Sequence, residues 1–247
     1  GLGGLSIMRQ VIKKNPEHSI VYLGDTARLP YGPKSPETIL NLSQKALNFL
    51  IRQGVELIIV ACNTVSSVAL PALKEIYKIP VIGVVEAGVE AAVETGMKRI
   101  GIIGTHNTIN SGRYDFLLKQ IDSNFTIIKK PCPLFVSIVE EGIVSGPIAE
   151  LIVEKYLEEF KDKVDVLILA CTHFPALRGV IGDYFNQKIK LVDASFKITD
   201  YIKDNVSENK NSVSYEYFVT DRPENFRKLA ALFLENDINT PKIINLD

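Results

Sequence analysis

The chain has 247 residues, 46% hydrophobic and 23% charged, with 28 basic against 29 acidic side chains and a formal net charge of -1. That balance describes a globular protein with a substantial core, long enough for one large α/β unit or for two domains. It supplies no basic excess for nucleic acid or for an anionic membrane surface.

The chain opens on Gly1, Leu2, Gly3 and Gly4 with no initiator Met, so a first strand is expected to precede them. Residues 19–24 then read as a strand and 36–53 as a helix with Ser35 as its N-cap. Strand 56–61, helix 65–78 and strand 80–85 follow, with Pro71 expected to kink that helix or delay its start. Next come helix 88–95, strand 99–103, helix 107–121, strand 125–129 and helices near 135–141 and 147–160. Strand 164–169, helix 176–185, strand 188–192 and helix 196–206 lead to a polar stretch, 207–214, expected as a solvated loop. Strand 215–220, helix 223–235 and strand 242–246 complete the order.

The strands are rich in Val, Ile and Leu without alternation, as strands buried on both faces are. With helices between them they predict an α/β fold of mainly parallel, doubly wound sheets. Two stretches echo one another, VELIIVACNTVSSVALPALKEIY from Val55 and VDVLILACTHFPALRGVIGDYF from Val164. Each runs an apolar strand into Ala-Cys, then a polar pair, then a helix carrying Pro-Ala-Leu. The echo favours two domains, expected over 1–86 with 197–247 and over 87–196.

Cys62 and Cys171 therefore occupy equivalent strand-to-helix corners. In open parallel sheets ligands bind outside the carboxyl ends of the strands, where unpaired helix N–H groups attract anions and favour thiolate. Asn63, Thr64, Thr172 and His173 add hydrogen-bonding groups beside the two thiols. The loop DTARLPYG, holding Asp25, Tyr31 and Gly32, also follows a strand, although Pro30 and Gly32 would serve a plain turn as well. Thr105, Asn107 and Thr108 in RIGIIGTHNT read as helix caps. Cys132, between two prolines, reads as packing. Three cysteines without close spacing suit a reducing compartment, the cytoplasm by default, and give no C-x-x-C or H-x-x-x-H pattern for a metal. No apolar stretch reaches the ~20 residues of a membrane span.

GLGGL, GDTARLPYG, ACNT, the GIIGT turn, CPLFVSIVE and ACTHFP, in that order and spacing, resemble the bacterial glutamate racemases over the whole chain. The resemblance implies two pseudo-symmetric α/β/α domains with a site between them, usually a homodimer, no cofactor and no metal. It further implies interconversion of L- and D-glutamate, in supply of peptidoglycan. Carried across, Cys62 and Cys171 are the two proton-transfer thiols. Tyr31, Gly32, Asn63, Thr64, Thr172 and His173, with Thr105, bind the substrate, and Asp25, Glu140 and His173 assist. The family has an Asp-Ser pair before the glycine matching Gly1, and Phe174 and Ala170 stand where Tyr and Gly are usual. The rival readings are a racemase for aspartate or another amino acid, and a catalytically impaired amino-acid-binding protein.

Overall fold

The computed structural model describes residues 1–203, 206, 212–234 and 236–246. The sequence places no helix before residue 19, yet the structure begins with α1 (Gly4–Lys14). Its glycine-rich start disguises it, but Leu5, Met8 and Val11 recur at helical spacing and are buried. Strand β1 (Ile20–Gly24) leads into a short 3-10 turn, Thr26–Arg28, and helix α2 (Pro36–Arg52). The Ser35 hydroxyl accepts from the Thr38 N–H at 3.2 Å, the cap expected from sequence.

Strand β2 (Ile58–Val60) precedes α3 (Asn63–Val68) and α4 (Leu70–Ile76), which divide what reads as one helix. The break at Ala69 lies just ahead of Pro71, which has no N–H to give and sits in the first turn of α4. Strand β3 (Val81–Gly83) is shorter than expected because α5 (Val84–Val93) starts at once. After β4 (Arg99–Gly104) the expected helix is again two, α6 (His106–Asn110) and α7 (Arg113–Ile121), parted at Gly112 with φ 66°.

Strand β5 (Thr126–Pro131), helices α8 (Pro133–Glu140) and α9 (Pro147–Leu157), and strand β6 (Val166–Ala170) follow. A 3-10 turn at Phe174–Leu177 leads into α10 (Arg178–Tyr184) and β7 (Lys190–Val192). Then come α11 (Asp200–Lys203), β8 (Tyr215–Val219), α12 (Pro223–Leu234) and β9 (Lys242–Ile243). Most of the polar stretch expected as a loop, residues 207–211, lies outside the described residues.

Every described strand pairing is parallel. The sheets run β1-β8-β9, β2-β3 and β5-β4-β6-β7. The last explains the unalternating apolar strands: Leu167 and Leu169 of β6 face one core with Phe135, Phe160 and Phe174, while Val166 and Ile168 face another with Ile100 and Ile102. Both faces are covered, so polar residues are confined to the strand ends, where the loops carry the chemistry.

Candidate active site

Cys62 is the N-cap residue of α3, two residues past the end of β2. Cys171 directly follows β6. Both corners form for the same reason: the apolar run leads into Ala-Cys, the polar pair turns the chain, and the helical segment buries its apolar side. The two thiols line one cavity of about 1240 Å³, Cys62 partly exposed and Cys171 buried. Asp25, Tyr31, Gly32, Asn63, Thr64, Thr105, Glu140, Thr172 and His173 line it as well, whereas Asn107, Thr108 and Cys132 do not.

Around Cys171 the polar groups form a line. Its Sγ lies 3.8 Å from Nδ1 of His173, and Nε2 of His173 lies 3.3 Å from Oε1 of Glu140 on α8. Interaction with the imidazole holds the Glu140 carboxyl below the usual carboxylate range. Burial has the opposite effect on the thiol and pushes Cys171 up to about 12. Cys171 of the unliganded protein is therefore a thiol at neutral pH.

On the other side, the Asp25 carboxylate is already engaged: Oδ2 accepts from the Tyr31 hydroxyl at 2.6 Å, and Oδ1 from Arg28 at 3.0 Å and Thr220 at 2.9 Å. Burial and the Asp25 hydrogen bond raise the Tyr31 phenol, which stays a neutral donor. The Thr64 and Thr105 hydroxyls, 41 residues apart in sequence, stand 2.9 Å from one another. Thr105 reaches Thr108 at 3.0 Å and caps α6, so the corner after β4 is tied to the corner after β2.

Cys132 is fully buried in the core, where burial pushes its thiol up. Ser137, one helical step before Glu140 on α8, lines the cavity and is absent from the sequence reading, although its i,i+3 spacing from Glu140 was legible. Among the described residues no cluster of three His, Cys, Asp or Glu side chains is arranged for a metal ion, and no helix is long and apolar enough to cross a membrane.

A profile of the Asp/Glu/hydantoin racemases matches residues 5–196. The chain belongs to this family. Within it, the glutamate racemase of Aquifex aeolicus is 44% identical over 98% of this chain and 94% of its own length. The glutamate racemase of Francisella tularensis, solved with D-glutamate, superposes with a TM-score of 0.91 at 38% identity, covering 100% of this chain and 95% of that one. The aspartate racemase of Picrophilus torridus shares the fold alone, with a TM-score of 0.56 at 20% identity over 83% of this chain and 91% of that one. As a family member the chain is an isomerase, and its α/β fold with parallel sheets is the one expected from sequence.

Proposed function

We propose that this protein interconverts L- and D-glutamate without a cofactor, by proton transfer between the α-carbon and two thiols. The observation that carries the reading is the pair of equivalent corners lining one cavity with Cys62 and Cys171. Inverting a stereocentre requires a base on one face and an acid on the other, with roles exchanged for the reverse direction. Cys62 takes the α-proton of D-glutamate and Cys171 that of L-glutamate. The carbanion at the α-carbon then collects a proton from the opposite thiol.

The remaining residues divide by chemistry. Asn63, Thr64, Thr172 and the backbone at Gly32 supply donors for the carboxylates, while Tyr31 is aimed by Asp25 through its 2.6 Å hydrogen bond. His173, backed by Glu140, takes up the proton that Cys171 must lose before it can act as a base. The substrate's ammonium group, brought next to the sulfur, adds an opposite charge that favours thiolate. Thr105 holds Thr64 in place.

Glutamate is preferred to aspartate because close likeness runs to glutamate racemases at both sequence and structure level, whereas the aspartate racemase shares only the fold. In this reading residues 1–86 with 197–247 form one domain and 87–196 the other, and the cavity lies between them. The division keeps β1-β8-β9 and β2-β3 in the first and β5-β4-β6-β7 in the second. The product supplies D-glutamate for peptidoglycan in the cytoplasm, where three free thiols are chemically at home, and the enzyme works as a homodimer.

Incubation with L-glutamate, D-glutamate and aspartate in deuterated water separates the readings. Label entering the α-carbon of both glutamate enantiomers, with their interconversion, is expected. Exchange into aspartate alone, or binding without exchange, would sink the proposal.

A further inference from the structure

Tyr114 stands outside the cavity lining, on α7, fully enclosed. Its hydroxyl reaches Oδ1 of Asn63 at 2.7 Å in a buried contact. Asn63 follows Cys62 and lines the cavity, so one buried phenol touches a residue of the cavity wall.

The chemistry of that contact fixes a direction. Burial pushes the Tyr114 phenol up, so it keeps its proton at any physiological pH. A buried O–H needs an acceptor, and the acceptor at hydrogen-bond distance is the Asn63 carbonyl oxygen. An amide has two ends. Once Oδ1 is turned to Tyr114, the NH2 end, with its two donors, is turned away from it. A substrate carboxylate is acceptor-only, so an amide flipped the other way would set one acceptor against another. We propose that Tyr114 is a positioning residue that locks the Asn63 amide with its NH2 group toward the substrate carboxylate. This rests on the reading of Asn63 as a substrate-binding residue.

Two features of the surroundings support it. Gly88 lies inside α5, where glycine is a poor helix former, and a Cβ built there would lie 2.9 Å from the Tyr114 hydroxyl. Helix α5 thus leaves the space that the hydroxyl occupies. Next to it, Arg113 Nη2 meets Glu86 Oε1 at 2.9 Å, which ties the start of α7 to α5. Among the described residues, the hydrogen bond of the phenol is the one to Asn63.

The test is steady-state kinetics on Tyr114→Phe, Asn63→Ala, their double variant and Gly88→Ala, with thermal unfolding of each. Tyr114→Phe keeps the ring and removes one hydrogen bond, so KM for both enantiomers should rise about tenfold with kcat changed far less, the pattern of lost uniform binding. Asn63→Ala should raise KM at least as much, and adding Tyr114→Phe to it should change KM no further. Gly88→Ala, which displaces the hydroxyl while Tyr114 and Asn63 themselves are unchanged, should raise KM in the same direction. If Tyr114→Phe and Gly88→Ala both leave KM unchanged while Asn63→Ala raises it, the positioning role falls and the site reading stands. Additive effects of Tyr114→Phe and Asn63→Ala would likewise reduce Tyr114 to packing. An unchanged KM in Asn63→Ala would overturn the assignment of Asn63, and this proposal with it, in an enzyme that still racemises.

Discussion

The Cys171 sulfur and the His173 Nδ1 stand 3.8 Å apart, and both side chains are buried. That spacing is long for a thiolate–imidazolium contact and close enough to tighten into one when a charged substrate arrives. It makes His173 the partner of one thiol, and the predictions begin from that asymmetry.

Replacing His173 by Asn should lower turnover by about a hundredfold, the lower range for a lost acid–base partner. Enantiomers have equal free energy, so kcat/KM must fall by the same factor in both directions. The one-sided role shows instead in isotope effects: α-deuterated L-glutamate, the enantiomer proposed for Cys171, should show the larger increase. Equal isotope effects for both enantiomers would contradict the pairing. Glu140→Gln should show the same bias more weakly.

Cys62→Ser or Cys171→Ser removes the acid or base from one face, so racemisation should collapse in both directions. The remaining thiol still faces one enantiomer. Cys62→Ser is expected to retain slow α-proton exchange with L-glutamate, and Cys171→Ser with D-glutamate, read by proton NMR in deuterated water. Cys132→Ser should turn over near the wild-type rate. A Cys62 or Cys171 variant that racemised like the parent would end the two-thiol mechanism.

Alkylation rates should report the burial of Cys171. The thiolate is the nucleophile, and burial holds this thiol protonated up to about 12. In the absence of substrate its labelling by iodoacetamide should therefore keep accelerating well above pH 9, whereas an ordinary thiol levels off past its pKa of about 8.5. The linkage has a definite sign: the raised thiol pKa supports the fold fully below about 8.5, the unfolded value, and that support is lost as pH climbs toward about 12. Peptide mass spectrometry across pH reads the rate at each cysteine. A plateau near pH 8.5 at Cys171 would mean that the thiol is not desolvated.

Phe135→Ala should be the costliest of these changes to stability. The ring is fully buried and packs edge-on against Phe174 at 5.2 Å and Tyr156 at 5.4 Å. Large-to-small replacements of this kind cost about 3–5 kcal/mol, which for a chain of this size lowers the melting temperature by roughly 6–20 °C. Because Phe174 follows His173, turnover should fall too. Calorimetry showing a shift below about 3 °C would mean that the cavity refills.

Much of this protein was legible in its sequence because the decisive signals are local. An unbroken apolar run of strand length, an Ala-Cys-polar corner and a Ser ahead of Pro-Glu-Thr each take their meaning from a few neighbours, and Cys62, Cys171 and the Ser35 cap could be read that way. Helix α1 and the break at Gly112 were harder, since glycine both starts and ends helices and periodicity cannot tell which.

The sequence by itself determined the α/β class, the buried parallel strands and the two thiol corners with their polar pairs. Only the tertiary structure decided which partners those residues have: Glu140 behind His173, Asp25 committed to Tyr31, Arg28 and Thr220, Thr105 bonded to Thr64, and Tyr114 behind Asn63. The physical reason is that strand and helix periods are set by adjacent residues, whereas a hydrogen bond between side chains 41, 51 or 195 positions apart exists only once separate elements are packed against each other.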